Sequence, residues 1–357
     1  MKYSLLVFGL MLICTYYSYS QTIDGDDIRY LEEKFINYSK DYPGSSITII
    51  QENQIAWQKE AGYADVKNQL PVTSNTKFNI YSTSKFILGL AYLKLVDQGQ
   101  VSLDQKIREL DPDLPESYAD ITIKHLLTHR SGIRHYDGKK DWIAFAELDV
   151  NSPEEAVAYF KNDPLVHKPG EKEQYTTFGM VLASHLLEII TGKDFESAIN
   201  EILTFSEPLN LDSKDAKKSA TFLKIGKEIN VNAKSKFGGG GFIASSQQLA
   251  EAGAMLFDES INTIDNIKAM FKGQWESDVT NGIAFGTGAG FSKETFGQPD
   301  VLYCAIGGGS PGGRSYLFVV VDLKISIAVT TNLEGDGEEA YQLVFDLVKQ
   351  LANMNDN

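Results

Sequence analysis

Cysteine is nearly absent. Of the two among 357 residues, Cys14 falls in an apolar N-terminal run and Cys304 stands alone. No internal disulfide can therefore form in the rest of the chain. Cys304 lies in Val301-Leu302-Tyr303-Cys304-Ala305-Ile306, an apolar stretch that predicts a buried strand residue and not a nucleophile. Histidines number five, and no Cys/His cluster has zinc-finger spacing. Positive charge is also scarce: 33 Lys and Arg face 48 Asp and Glu, a net charge of −15. A chain this acidic repels nucleic acid and anionic lipid, so neither is an expected partner. Acids and bases are interspersed, as on a solvated surface. The four-glycine run Gly238–Gly241 lacks the Gly-Lys-Ser/Thr of a phosphate loop. An α/β-hydrolase is not expected.

The N-terminus combines Lys2, the short apolar run Leu5–Ile13, and Ser18-Tyr19-Ser20 before Gln21. That is the pattern of a cleaved export signal over residues 1–20. The run is too short for a spanning helix, which needs ~20 apolar residues. The protein is expected to be exported, periplasmic or secreted, with no spanning segment after cleavage. Ile13 stands where a lipoprotein signal before Cys14 would have a small residue.

Helical spacing of Ile28, Leu31, Phe35 and Ile36 predicts a helix over Asp24–Tyr38. Ser46–Gln51 and Ile55–Gly62 read as strands joined at Glu52-Asn53. Ser82–Gln98 reads as a buried helix, and Ile121–His129 as a short one. Ser152–Lys161 and Phe178–Thr191 are the clearest helices of the middle. Asp212–Lys236 is polar and reads as a surface excursion. Ser245–Phe257 reads as a helix capped by Ser245-Ser246. Leu302–Ile306, Ser315–Val321 and Ser326–Thr331 read as strands, and Gly337–Ala352 as a closing amphipathic helix. The fold class is thus α/β (α+β): an antiparallel sheet sandwiched by helices, with an inserted helical domain. The sandwich takes residues 21–103 and 237–357, and the insert takes 104–236. A site is expected in the cleft between them.

Ser82-Thr83-Ser84-Lys85 sets a hydroxyl and an amine three apart at a helix start, on one face. A serine hydroxyl is a weak nucleophile, and a neutral amine in reach can take its proton. A helix N-terminus also offers N–H groups to a developing oxyanion. Ser-x-x-Lys alone recurs by chance as a cap and a surface lysine. Here it stands within Phe78-Asn79-Ile80-Tyr81-Ser82-Thr83-Ser84-Lys85. It is followed by Leu95-Val96-Asp97-Gln98-Gly99-Gln100-Val101-Ser102-Leu103-Asp104 and by His125-Leu126-Leu127-Thr128-His129-Arg130-Ser131-Gly132-Ile133.

Together these segments resemble the serine β-lactamase and penicillin-binding-protein superfamily, in its class C branch. That branch includes peptidases and esterases, and the likeness is strongest to mitochondrial serine β-lactamase-like proteins and their bacterial relatives. It spans nearly the whole chain after the signal. The resemblance implies the β-lactamase/transpeptidase-like fold and a serine hydrolase that forms an acyl-enzyme on an amide or ester bond. Ser82 would be nucleophile, Lys85 base, and Tyr175, after the Pro169-Gly170 turn, the proton-sharing partner. Thr177 stands at the family's Asn position in Tyr-x-Asn and would touch substrate. The family's Lys-Thr-Gly or His-x-Gly strand motif falls on Ile306-Gly307-Gly308-Gly309, so Ile306 removes a cation. The Ser82 and Gly309 N–H groups would form the oxyanion hole. Gly308 and Arg314 are further substrate-binding candidates, with Arg314 a substitute for the lost charge. Small-molecule or peptide substrates and a homo-oligomer are consistent with this reading. It implies no metal or organic cofactor. His125 and His129 stand four apart but lack the Glu of His-Glu-x-x-His. The altered Thr177 and Ile306 leave two rivals, a true β-lactamase and a non-catalytic binding or self-assembling protein on the same fold.

Overall fold

The two ends of the chain build one sheet. The structure is a computed structural model that describes residues 23, 25–213, 216–224, 226–257, 282–284, 287–291, 302–321, 323–335 and 338–353. The expected export signal, residues 1–20, lies outside the described residues. Helix α1, Gly25–Ser39, leads into β1, Gly44–Gln51, β2, Gln54–Asp65, and the short β3, Leu70–Pro71. The later strands are β4, Gly282–Ala284, β5, Thr287–Phe291, β6, Leu302–Ser310, β7, Gly313–Val320, and β8, Ile325–Thr331. Their spatial order is β3-β2-β1-β8-β7-β6-β5-β4, antiparallel throughout. Glu52 and Asn53 both have positive φ, the signature of the two-residue primed turn that suits strand twist. Pairing of β1 with β8, Ile47 opposite Val329, closes the N-terminal hairpin onto the C-terminal strands.

Strand alternation sorts the side chains onto two faces. Ile47, Ile49, Phe318, Val320, Ile327 and Val329 pack under α1 and the closing helix α5, Glu338–Asn353. Of the four apolar α1 residues whose spacing predicts the helix, Leu31 and Phe35 are fully buried, whereas Ile28 and Ile36 are exposed. Cys304, Ile306, Leu317, Val319 and Ala328 face the other way, into a cluster that continues through α2, Ser84–Asp97, and into the helical block. Helix α2 is buried on nearly every side, as an all-round apolar helix must be.

The block between the two halves of the sheet contains helices Ile107–Leu110, Ile123–Leu127, Gly138–Ala146, Pro153–Val157, Phe195–Ile202 and, longest, α3, Thr177–Thr191. Helix α3 ends at Gly192, in the left-handed conformation common after a last turn. Helix α4, Ser246–Ala254, starts from a reciprocal Ser245/Gln248 capping box. Two expectations change. The helix expected over Ser152–Lys161 is regular only over Pro153–Val157, capped by Ser152. The segment expected to be a surface excursion is tied inward at both ends. Asp212 is fully buried and accepts from Asn79, Lys218 and the Ala233 N–H, and Lys236 is buried as well. A polar composition reads as surface until its polar partners are known, and Asn79 lies far away in sequence. Among the described residues no helix is long and apolar enough to cross a membrane.

Candidate active site

Ser82 sits on a tight turn ahead of α2. Tyr81–Thr83 form a single 3₁₀ turn, and α2 begins at Ser84, two residues later than the sequence pattern predicts. Tyr81 has φ +48°, an uncommon conformation for a bulky residue that needs outside support. That support comes from the C-terminal strands. Ser315 Oγ and Thr83 Oγ1 both donate to the Ile80 carbonyl at 2.6 Å, and Tyr81 Oη donates to the Pro311 carbonyl at 3.2 Å. Ser84 Oγ accepts from the Phe242 N–H. The turn is therefore held from both sides, and Ser82 Oγ projects into the cleft.

Two partners meet that oxygen. Tyr175 Oη lies 2.8 Å from Ser82 Oγ, and Lys85 Nζ donates to it at 3.2 Å. Lys85 is completely buried, donates a second hydrogen bond to the Gly239 carbonyl, and places its amine 4.8 Å from the Tyr175 ring centre. The Tyr175 ring lies between two histidines, with centroids 4.7 Å from His129 and 5.3 Å from His135. His129 Nδ1 accepts the Thr176 N–H and His135 Nδ1 the Thr177 N–H, both at 3.2 Å. These contacts fix the backbone on which Tyr175 rides. Burial, then the Lys85 charge, pushes His129 down to about 3 and His135 to about 4. Both rings are thus neutral acceptors at neutral pH. By sequence alone His125 and His129, with His135 near, read only as a metal set or as structural residues, and not as supports of Tyr175. His125, the third of the group, accepts the Thr122 N–H in a helix cap, so each of the three spends a ring nitrogen on backbone.

The sheet wall supplies backbone. Gly309 lines a cavity of about 260 Å³ together with Ser82, Tyr175, Thr177, His135 and Lys236. Gly308, expected at the substrate, is buried below the cavity. A Cβ there would stand 2.1 Å from the Ile80 carbonyl oxygen and 3.0 Å from the Thr83 nitrogen. Its lack of a side chain lets β6 approach the Tyr81–Thr83 turn. Ile306 is 4% exposed and packs with the core. Arg314, expected to replace the lost cation, lies across Gly309 and donates to the Ser310 and Gly313 carbonyls, and it does not line the cavity. β6 runs through its glycines to Ser310, four residues beyond the expected end, because β7 pairs with it along its length. Gly308-Gly309-Ser310-Pro311-Gly312 also spells Gly-x-Ser-x-Gly. Ser310 ends a strand in a hairpin, not in the strand-to-helix turn an elbow requires, and its buried hydroxyl has no partner among the described residues.

The glycine run closes the remaining side. Side chains at Gly238 and Gly239 would strike Ser184 and Thr177 within 3 Å, so the run is a close-packed floor and not a loose turn. Phe237 before it has φ +41° and ψ −129°. Lys236 next to it is 6% exposed and stands over the Trp142 ring at 5.1 Å. Burial first, and the Lys85 charge second, pulls Lys236 down to about 8.

Other groups do different work. Ser46 and Thr48 of β1 share hydrogen bonds with Ser246 of α4 at 2.7 and 2.8 Å. All three hydroxyls are buried, no amine, imidazole or carboxylate joins them among the described residues, and they tie the sheet to α4. Burial pushes the Cys304 thiol up to about 12, which makes it inert. A larger cavity of about 720 Å³ lies apart, around Phe195, Asp212 and Lys217, and does not include Ser82.

The family model described as Beta-lactamase matches residues 29–349. Among curated proteins, the chain is 29% identical over 173 residues to Protein flp of Staphylococcus aureus, covering 47% of this chain and 34% of that protein. It is 24% identical over 301 residues to the human mitochondrial serine beta-lactamase-like protein LACTB, covering 63% and 55%. The matches thus span about a third and about half of those relatives' lengths. Among solved structures, the octameric penicillin-binding protein homologue from Pyrococcus abyssi superposes with a TM-score of 0.75 at 25% identity, over 91% of this chain and 77% of that one. A beta-lactamase/D-alanine carboxypeptidase from Pseudomonas syringae superposes with a TM-score of 0.73 at 16% identity, over 91% and 99%. The fold is the β-lactamase/transpeptidase-like one, and the chain belongs to the beta-lactamase family.

Proposed function

We propose that the protein is a serine hydrolase that cleaves an amide or ester bond of a small molecule or peptide through an acyl-enzyme. The observation that carries this reading is the convergence of Lys85 Nζ and Tyr175 Oη on Ser82 Oγ, at 3.2 and 2.8 Å, beside the exposed edge of Gly309. Ser82 Oγ bonds to the carbonyl carbon as its proton passes to Lys85. The carbonyl oxygen becomes an oxyanion facing the Ser82 and Gly309 N–H groups. Collapse breaks the bond to the leaving group, which takes a proton relayed by Tyr175. Water then attacks the acyl carbon, the same groups return the proton, and Ser82 is released. Thr177, at the edge of the cavity, offers a hydroxyl to the substrate.

A fluorophosphonate probe tests the assignment. The wild-type protein is labelled and Ser82→Ala is not, whereas equal labelling of the two would end it. A true β-lactamase is the less favoured substrate class, because β6 turns Ile306 into the core and offers a β-lactam carboxylate no cation on the strand side. We infer in addition that residues 1–20 direct export to the periplasm or beyond, which N-terminal sequencing of the mature protein checks. Assembly into a homo-oligomer is a further reading, favoured by the similarity to the octameric Pyrococcus homologue.

A further inference from the structure

The cavity at Ser82 has an unusual charge balance. The chain carries 48 acidic residues, yet none of the residues lining this cavity is acidic, and Lys236 is among them. Lys236 is buried, and its ammonium makes no hydrogen bond or ion pair among the described residues. Asp212, the acid whose charge acts on it, is already engaged by Lys218, Asn79 and the Ala233 N–H. A buried cation without a counter-ion is costly unless a ligand supplies one.

The fold holds this lysine in place. Its stem lies along Gly240, where a Cβ would come within 3.3 Å of it, and Trp142 backs the ammonium at 5.1 Å. The next residue, Phe237, adopts a backbone conformation that non-glycine residues avoid, as occurs where a side chain must be aimed. Lys236 titrates near 8 and therefore remains mostly protonated at neutral pH.

We propose that Lys236 is the anion receptor of this site, binding a substrate carboxylate from the helical side of the cleft in place of the cation that Ile306 removes from the strand side. The inference rests on the serine hydrolase reading and gives it a substrate class: small esters or amides that carry a carboxylate near the scissile carbonyl. The cavity's volume of about 260 Å³ suits a compact group, with Trp142 and Tyr136 as aromatic walls.

The test compares matched substrates that differ in one charge: mono-p-nitrophenyl glutarate against its methyl ester, and acetyl-D-alanyl-D-alanine against its C-terminal amide. The two pairs place the carboxylate on the acyl and leaving-group sides. The full-length mature protein, Lys236→Met and Lys236→Arg are assayed, with thermal melting as a folding check. In one pair at least, the wild type prefers the anionic member by about tenfold or more in kcat/KM, mainly through KM. Lys236→Met loses that ratio and Lys236→Arg keeps most of it. Ser82-dependent turnover with no charge preference, or a Lys236→Met variant that lowers both members of each pair equally, overturns the anion receptor alone. Absence of any Ser82-dependent labelling or turnover overturns the hydrolase reading, and the receptor with it.

Discussion

The two walls of the cleft are built from opposite materials. The sheet wall offers glycine backbone: Gly308 closes onto the Tyr81–Thr83 turn and Gly309 presents its edge to the cavity, while Ile306 and Arg314 turn away. The helical wall offers side chains: Tyr175 between His129 and His135, Thr177, and Lys236 over Trp142. Backbone on one side and functional groups on the other divide the labour. The strand needs closeness and fixed amides, so any side chain at Gly308 is an obstruction. The helical wall needs chemistry, so its polar groups are supported individually.

Lys85 belongs to neither wall and serves both, so its removal has the largest expected effect. Lys85→Met keeps the volume but removes the proposed base, the donor to Ser82 Oγ and to the Gly239 carbonyl. General-base catalysis typically contributes 10²–10⁴-fold, and acylation by an activated ester is expected to fall about 10³-fold. Stopped-flow acylation rates check this, and a fall below tenfold would take the base role from Lys85. Next comes the sheet wall. In Gly308→Ala the added methyl meets the Ile80 carbonyl and the Thr83 nitrogen, both backbone atoms that cannot swing aside. Overpacking of this kind costs about 1–3 kcal/mol, and denaturant unfolding should show it together with slower acylation. An unchanged midpoint would mean that the walls are not pressed together as described.

The smallest effect tests the helical wall through pH. His129 ordinarily titrates near 6.5 when unfolded and near 3 here, chiefly through burial. The unfolded chain therefore binds the extra proton between those values. The stability this histidine contributes is complete above about pH 6.5 and drains away as pH falls toward 3, by about 1.4 kcal/mol per pH unit. His135, near 4, acts in the same direction. In His129→Gln, measured by denaturant titration between pH 7 and 4.5, the acid-side slope is expected to become shallower. An unaltered slope would show that acid sensitivity arises elsewhere.

Much of this contrast was legible in the residues. Ser82 and Lys85 stand one helical turn apart, and the segments around them specify the rest of the nucleophile turn. Cys304 and the three closing strands follow from short apolar runs rich in β-branched residues. Lys236 was not legible, because the Trp142 ring it stands over comes from a separate helix, which composition along one segment does not reveal. The length of β6 was not legible either. Glycine carries little strand preference, and only pairing with β7 keeps Gly307–Gly309 extended. Arg314 was placed correctly near Gly309 in sequence, but a strand pair decides on which side of the backbone a side chain falls.

The contacts that hold the Tyr81 turn bear on synthesis. The Ile80 carbonyl waits for Ser315, 235 residues further on, and Tyr81 for Pro311, 230 residues on. A ribosome that has made Ser82, Lys85 and Tyr175 has still not made what aligns them. The half-finished chain carries Ser82 on a turn without its supports, and the geometry described for it arrives only when the last strands dock onto the first hairpin.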